Sequence, residues 1–228
     1  MRNGAKYWDT GITLVQGCTK VSPACDNCWA LSMESRHKKD STPKFMPERL
    51  ERFKKNLGIV SIWNDLFHPV VTVQQQRQTM DAIESSPHNQ YLILTKRSKE
   101  MVQFYRCPEG TQSNTWNGVT IETMDYLDRL CILMLPGKHI LSVEPMLGAI
   151  VLPKERLDDI HWVLCGPENY AKIKRPFNPS WAKNLYEQCA SAGVPFFWKG
   201  KEGFLPREYP KELSLTNNNG VINSGNTR

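Results

Sequence analysis

Short apolar runs alternate with amphipathic segments along almost the whole chain. The apolar runs have the length of strands, and the segments between them carry apolar residues at helical spacing. The expected strands are Gly11–Val15, Ile59–Trp63, Tyr91–Leu94, Gly118–Ile121, Ile140–Val143, Trp162–Leu164 and Val194–Trp198. The expected helices are Asp26–Lys38, Pro47–Asn56, Val73–Glu84, Ser98–Tyr105, Thr123–Leu133 and Pro179–Ala192. Repeated strand-then-helix units predict an α/β fold with a parallel sheet, as a full or partial (β/α) barrel in a single domain.

The barrel domain is expected to span residues 1–205, because the composition changes after Pro206. Residues 206–228 are expected to form a flexible C-terminal tail. The last part of this tail, Asn217–Arg228, is polar and rich in Asn and Gly, a composition that does not support a packed core.

A polar or charged side chain follows nearly every expected strand. These residues are Asn64 and Asp65, then Thr95, Lys96 and Arg97, then Glu122, Glu144, Glu168 and Lys199. In a parallel barrel the carboxyl ends of all strands meet at one face, which is where active sites lie. We therefore expect these side chains to share one polar site.

Composition and charge narrow the function classes only slightly. Hydrophobic residues make up 40% and charged residues 23% of the 228 residues, which is the ordinary globular range. A net charge of +6 fits a phosphate-bearing partner, although many small enzymes are equally basic. No apolar run approaches the ~18 residues that a membrane span needs. The N-terminus lacks the apolar segment of a secretory signal, so we expect a cytoplasmic protein with no membrane partner.

Seven cysteines are present, and three of them are clustered. Cys18, Cys25 and Cys28 have the spacing C-x6-C-x2-C, whereas the others are scattered singly at positions 107, 131, 165 and 189. A structural zinc site needs four nitrogen or sulfur ligands, so three thiolates do not close one. Three thiolates are sufficient to hold a 4Fe-4S cluster with its fourth iron open. A zinc site completed by His37 or His68, and a purely structural role, stay open as alternatives.

The segment Gly17–Cys28 resembles the opening motif of a phage and prophage family of short radical-SAM-like proteins. Four further blocks of that family match in order, from about residue 8 to residue 200: Ile62–His68, Leu94–Arg97, Ser142–Gly148 and Gly193–Lys199. One departure is Gly166-Pro167-Glu168, where the family has Gly-Gly-Glu. Pro167 removes a backbone N–H that could contact a bound cofactor.

The resemblance implies a barrel of the radical SAM type, with a 4Fe-4S cluster and S-adenosylmethionine (SAM) as cofactors. Reductive cleavage of SAM gives methionine and a 5′-deoxyadenosyl radical that abstracts hydrogen from the substrate. Some relatives belong to phages that hypermodify thymidine, where such an enzyme isomerises a glycyl-thymidine from an N-linked to a Cα-linked form. The implied partners are DNA carrying a modified thymidine and an electron donor such as flavodoxin. A phage-encoded chain would act in the cytoplasm of the host cell.

The resemblance also assigns roles to residues. Cys18, Cys25 and Cys28 become the cluster ligands. The SAM-binding residues are expected to be Asn64, Asp65, Glu122, Glu144 and Glu168. The expected catalytic set is Lys96, Glu122, Glu144 and Lys199, and Lys96, Arg97 and Lys199 are candidates to hold a carboxylate or phosphate of the substrate. Further candidates are His68 as a proton donor and Trp29, Trp63 and Trp198 as rings that stack on a base.

Structural alternatives stay open for the same side chains. Asp65 is also suited to cap a helix, and Glu122 and Glu144 are suited to pair with Lys96 or Arg97. At the level of function, three hypotheses compete. The first is a radical SAM isomerase acting on DNA. The second is a radical SAM enzyme acting on a DNA lesion, RNA or a peptide. The third is a non-catalytic, zinc-stabilised module that binds nucleic acid.

Overall fold

A computed structural model describes residues 6–36, 40–106, 112–169 and 174–214. Its centre is a seven-stranded sheet curled into a half-barrel, in which every neighbouring pair is parallel. In sheet order the strands are β1 (Thr10–Thr13), β4 (Ile59–Trp63), β5 (Gln90–Thr95), β6 (Thr115–Thr120), β7 (Lys138–Val143), β8 (Trp162–Cys165) and β9 (Phe196–Trp198). The parallel α/β fold in one domain is thus confirmed. Of the two alternatives, the partial barrel is the one that forms, since β1 and β9 are its two edges.

Two short strands, β2 (Val15–Gln16) and β3 (Lys44–Phe45), form a separate antiparallel pair beside the sheet. The helices are α1 (Trp29–Arg36), α2 (Val73–Glu84), α3 (Ser98–Tyr105), α4 (Lys154–Leu157), α5 (Pro179–Ser191) and α6 (Lys211–Ser214). Three further segments are 3₁₀-helices: Pro23–Cys25, Pro47–Lys54 and Met124–Met134. None of the helices in the described part of the chain has the length and apolar character needed to cross a bilayer.

Local capping explains where the sequence predicted helices well and where it did not. α2 has the predicted bounds because Thr72 and Gln75 form a reciprocal capping box. The expected α-helix after Thr123 is instead a kinked 3₁₀ segment. There the Thr123 hydroxyl donates to the carboxylate of Asp125 and makes no cap hydrogen bond to the backbone. α3 has the predicted bounds, Ser98–Tyr105, and Arg97 precedes it as an N-cap residue without a side-chain cap hydrogen bond.

Alternate residues of each strand face either the helices or the concave interior of the half-barrel. Large apolar and aromatic side chains fill the lower interior: Ile59, Leu92, Trp116, Ile140, Trp162 and Phe197. Tyr7, just before β1, contacts the rings of Trp162 and Phe197 at 5.8 and 5.9 Å, so aromatic packing spans the gap between the two edge strands.

Small residues occupy the next interior positions above this aromatic layer. Ser61, Gly118 and Ser142 follow Ile59, Trp116 and Ile140 on the same face of their strands. A Cβ atom at position 118 would lie 2.4 Å from Leu94 Cδ2 and 2.8 Å from the carbonyl oxygen of Ile140. The decrease in side-chain size leaves an open space at the carboxyl end of the half-barrel.

The start of the expected tail is folded rather than flexible. Arg207 forms a bridge with Phe197, and the carbonyl oxygen of Glu208 accepts from the indole N–H of Trp162. Leu213 is fully buried against the interior layer. Residues 215–228 lie outside the described residues.

Candidate active site

The space above the aromatic layer is a cavity of about 370 Å³ at the carboxyl ends of the strands. Its walls include all three clustered cysteines. They also include most of the polar residues that follow the strands: Asn64, Asp65, Lys96, Arg97, Glu144, Glu168 and Lys199. The strand ends and the cysteine segment therefore share one site, as the order of apolar and polar residues predicted.

The three cysteines lie between β2 and α1, with Cys18 in an irregular segment two residues after β2. Cys25 ends the 3₁₀ turn Pro23–Cys25, and Cys28 immediately precedes α1. All three thiols are free and half-buried. By contrast, Cys165 and Cys189 are buried in the core, and burial raises the pKa of both thiols, that of Cys189 to about 12. Cys107 lies outside the described residues.

The cysteines share a wall of the cavity without forming a closed site for a single ion. In the described ranges, no three His, Cys, Asp or Glu side chains come together as the ligands of one metal ion. Both ring nitrogens of His68, one of the candidates for a fourth zinc ligand, have hydrogen-bond partners within the protein. Nδ1 accepts from the N–H of Val70 at 3.1 Å, and Nε2 lies 2.9 Å from the hydroxyl of Thr19. Burial lowers the pKa of His68, and the charge of Arg97 acts in the same direction. His37 lies outside the described residues.

Arg97 connects the sheet to the cysteine segment. Its Nη1 donates to Asp65 Oδ2 at 2.6 Å and to Cys18 Sγ at 3.8 Å. Its Nη2 donates to the carbonyl oxygen and the hydroxyl of Thr19, at 3.0 and 2.8 Å. Because this guanidinium is only 6% exposed, the ion pair with Asp65 fixes it against the loop that carries Cys18.

Asp65 and Asn64 are both engaged with the protein itself. The second oxygen of Asp65 accepts from the N–H of Phe67 and from the hydroxyl of Thr95. The helix-capping alternative for Asp65 is wrong, because a turn and not a helix follows it and α2 begins only at Val73; the ion pair with Arg97 was not predicted. Asn64 adopts a left-handed backbone conformation with φ 63°, and its amide donates to the carbonyl oxygens of Val15 and Gly17. Asn64 directly, and Asp65 through Arg97, thus fix the first residues of the cysteine segment against the sheet.

A second clamp holds the middle of the cysteine segment. Glu168, which follows β8, forms an ion pair with Arg175 and accepts from the amide of Asn27 at 2.9 Å. Arg175 also donates to the carbonyl oxygen of Pro23 at 2.8 Å. Burial alone would raise the pKa of Glu168, but the hydrogen bonds from Arg175 and Asn27 outweigh it and lower the pKa.

Glu122 was expected to bind SAM at the barrel mouth, but it does not line the cavity. Its side chain is fully buried, and Oε2 accepts from Arg129 Nη1 at 2.8 Å. Arg129 also donates to the carbonyl oxygen of Thr120 and lies 4.1 Å from the centre of the Tyr126 ring. This corrects the expectation that Glu122 lies at the barrel mouth. An ion pair was foreseen, but its partner comes from the segment behind the strand.

The three cations of the cavity have different environments. Arg97 is paired with Asp65, and Lys199 is paired with Glu144 and lies 4.8 Å from the centre of the Tyr7 ring. Lys96 is half-buried and has neither an ion pair nor a hydrogen bond within the described residues. Among the candidates for holding an anion, it is the cation left without a counter-charge.

Aromatic side chains form one wall of the cavity, but they are not all the predicted ones. Trp29 and Trp63 are in edge-to-face contact at 5.1 Å, and Trp8 lies 6.1 Å from Trp63. Trp198 instead faces the helices, where it is 2% exposed and packs against Phe204. Trp8 was missed because it precedes the first strand, where no strand-end pattern marks it.

Arg175 and the hydroxyl residues Ser61, Thr120 and Ser142 also belong to this region and were not predicted. Ser61 and Ser142 lie within apolar strands, and the only sequence signal for them is a small polar residue at an inward position.

A family model described as a protein of unknown function (DUF5131) matches residues 3–221, which is nearly the whole chain. No curated protein and no solved structure matches the chain.

Proposed function

For a chain that belongs to the DUF5131 family, we propose the function of a radical SAM enzyme whose 4Fe-4S cluster is held by Cys18, Cys25 and Cys28. The observation that carries this proposal is the position of the three thiols. The C-x6-C-x2-C segment lies against a single cavity at the carboxyl end of a parallel half-barrel, together with the polar strand ends.

The residues present fit such a cluster. Iron–sulfur clusters are held by cysteine thiolates, and three ligands leave one iron open for a second cofactor. Each thiolate of a cubane binds a different iron, so its ligands need to share a wall and need not converge on one point. The thiols here are free, half-buried and held on a segment that is clamped by Asn64, Arg97 and Arg175.

With cluster and SAM bound, the site would supply one-electron cleavage of SAM to a 5′-deoxyadenosyl radical that can take hydrogen from unactivated carbon. The residues of the protein would position SAM and the substrate and shield the radical from water. The aromatic layer of Trp116, Trp162 and Phe197 closes the cavity from below, and Trp29 and Trp63 cover one side. Exclusion of water protects a reactive species from side reactions.

The geometry separates direct contacts from positioning roles. Asp65 and Glu168 accept hydrogen bonds from protein donors on both carboxylate oxygens, so we assign them to positioning the cysteine segment. Asn64 and Glu144 remain the candidates for direct contact with SAM. Lys96 and Lys199 remain candidates for the substrate. Glu122 acts from behind the wall, through its pair with Arg129.

We further propose that the substrate is a modified thymidine in DNA, whose N-linked glycyl group is isomerised to a Cα-linked form. The net charge of +6 favours a phosphate-bearing partner. A base in duplex DNA must leave the stack to reach a cavity of this kind. Trp29, with the exposed side chains of Val21 and Met33 beside it, gives the cavity an apolar lip that suits an extruded base. An electron donor such as flavodoxin would supply the reducing electron.

The test is anaerobic reconstitution with iron and sulfide, followed by reduction in the presence of SAM and glycyl-modified DNA. We expect bound iron and sulfide, 5′-deoxyadenosine, and, after digestion to nucleosides, an isomer of unchanged mass. Formation of 5′-deoxyadenosine without that isomer would retain the radical SAM assignment and reject the substrate. Uptake of zinc without iron would reject both and support the nucleic-acid-binding module.

A further inference from the structure

Four successive strands each bring one polar side chain to the cavity. β4 contributes Ser61, β6 contributes Thr120 and β7 contributes Ser142, while Lys96 directly follows β5. Thr120 and Ser142 are direct neighbours in the register of β6 and β7. Lys96 follows Thr95, the register partner of Val119, so Lys96, Thr120 and Ser142 lie side by side, while Ser61 lies deeper on the same wall, opposite Leu92. We call these four residues the polar strip of the inner wall.

The hydroxyl residues of this strip are largely buried, but their hydroxyl oxygens are accessible from the cavity and have no hydrogen-bond partner among the described residues. Ser61, Thr120 and Ser142 are only 4%, 6% and 4% exposed. Within the described ranges, none of their hydroxyls makes a hydrogen bond, and each opens onto the cavity. A hydroxyl that opens onto a cavity and has no protein partner can hydrogen-bond a ligand bound there. Three such hydroxyls on one wall indicate a surface suited to a polar ligand.

The positive charge of Lys96 indicates that this ligand is negatively charged. Lys96 has no counter-ion among the described residues, whereas the carboxylates that line the cavity all have cationic partners: Asp65 has Arg97, Glu144 has Lys199 and Glu168 has Arg175. An ammonium and three hydroxyls are all able to donate hydrogen bonds. A negatively charged acceptor would satisfy them together.

The position of the strip favours a carboxylate over a backbone phosphate. The strip lies on the inner wall of a cavity of about 370 Å³, immediately above the aromatic layer. A base extruded from a strand enters such a pocket, while its phosphates stay with the strand outside. An acidic group carried by the base itself is therefore the anion that reaches Lys96.

We propose that Lys96, with Ser61, Thr120 and Ser142, binds the carboxylate of an amino-acid group attached to the substrate base. This inference rests on the proposed function for the identity of the base. It adds the chemical group that the site recognises. It also distinguishes Lys96, which has no counter-ion among the described residues, from Arg97 and Lys199, which form ion pairs with Asp65 and Glu144.

The experiment uses two nucleoside probes and the reconstituted protein with SAM present. One probe is the thymidine derivative that carries an N-linked glycine, and the other is its neutral glycinamide analogue. Because a hydrogen bond to a charged group contributes more than a neutral one, we expect the acid to bind about tenfold or more tightly than the amide by calorimetry. Lys96→Met should abolish this preference and leave SAM binding unchanged.

Lys99→Met is the matched control, since Lys99 is 80% exposed on α3 and pairs only with Asp128. It should keep the full preference for the acid. Ser142→Ala provides a second, milder variant that removes one donor without a charge, and it should reduce the preference several-fold. Circular dichroism on each variant confirms that the fold is retained.

Three results would overturn the proposal. The first is an unchanged preference for the acid in Lys96→Met. The second is a loss of SAM affinity in Lys96→Met as large as the loss for the acid, which would assign Lys96 to the cofactor. The third is a loss of affinity for a thymidine 5′-phosphate probe in Lys96→Met while the affinity for the glycine probe stays the same. Iron and sulfide content is measured in parallel. A protein that prefers the acid but holds no cluster would uphold this site and contradict the radical SAM proposal.

Discussion

Arg97 donates a hydrogen bond to the Sγ of Cys18 across 3.8 Å. The same guanidinium is paired with Asp65, so one buried cation lies between a carboxylate and a thiol. Burial raises the pKa of the Cys18 thiol and the charge of Asp65 adds to this rise, while the hydrogen bond from Arg97 opposes both. Arg97 therefore offers an N–H to a thiolate at this position, which suits a cysteine that serves as a cluster ligand.

The first prediction concerns the ligand set. Cys18→Ala, Cys25→Ala and Cys28→Ala should each reduce bound iron and sulfide to background after reconstitution, because a cluster cannot be held by two thiolates here. Cys131→Ala is the control, since Cys131 is a half-buried thiol that packs beside the core and does not line the cavity. Equal iron loss in the Cys131 variant would show that the ligand set is wrong.

The second prediction concerns Arg97 as a positioning residue. Arg97→Met should destabilise the protein by about 3–5 kcal/mol, because it leaves the buried carboxylate of Asp65 without its cation. The double variant Arg97→Met/Asp65→Asn should recover part of that loss, since no isolated charge remains. Urea unfolding of the two variants and the wild type measures the difference.

A spectroscopic measurement separates the role of Arg97 at the cysteine from its role in stability. Hydrogen bonds to cluster sulfurs are among the features that set the reduction potential. We expect the double variant, once reconstituted, to have a lower midpoint potential than the wild type in a redox titration. An unchanged potential would limit Arg97 to holding the loop.

The third prediction concerns pH and the pair of Glu168 with Arg175. Because the pKa of Glu168 is lowered from 4.5 in the folded protein, its ionised form contributes stability above pH 4.5. That contribution is lost as the pH falls through the lowered value. Glu168→Gln should therefore be less stable than the wild type near neutral pH, and the gap should narrow in acid.

Urea unfolding at a series of pH values measures this gap. Glu212→Gln is a suitable control, because Glu212 is exposed on α6 and does not line the cavity. Its free energy of unfolding should follow that of the wild type throughout. A gap for Glu168→Gln that stays constant with pH would contradict the linkage.

The fourth prediction concerns the interior of the half-barrel. Gly118→Ala should cost about 1–3 kcal/mol, because the new methyl group would overlap Leu94 and the backbone of Ile140. Gly148→Ala is the control, since its Cβ would have only ordinary contacts, at 3.7 Å or more from Thr123. Thermal unfolding that shows equal midpoints for both variants would mean that the packing above the aromatic layer is looser than described.

The strands and their polar ends could be predicted because the relevant signals are local. β4 has the predicted bounds, Ile59–Trp63, and α2 has its predicted bounds because its capping box lies within four residues. The convergence of Lys96, Glu144 and Lys199 on one cavity follows from parallel pairing, which brings all carboxyl ends of strands to one edge.

The partners of the charged residues could not be predicted in the same way. Glu122 was expected at the mouth, but Arg129 holds it inside the wall, and Arg175 closes over Glu168 from a segment beyond β8. Phe197 and Trp198 are neighbouring aromatic residues of the same strand, so the sequence does not show which of them faces the interior. In the structure it is Phe197. A strand assignment gives the alternation, but which face is the interior depends on the curvature of the sheet.

The sequence by itself determined the parallel α/β fold, the three clustered cysteines and the polar ends of the strands. These depend on periodicity and on short spacings along the chain. Only the tertiary structure decided that the barrel is half-closed and that Arg97 is committed to Asp65 and Cys18. It also decided that Lys96 faces the cavity with Thr120 and Ser142 and without a partner among the described residues. The physical reason is that ion pairs and cavities form between residues far apart in the chain, and their free energies depend on burial and distance, which residue order alone does not contain.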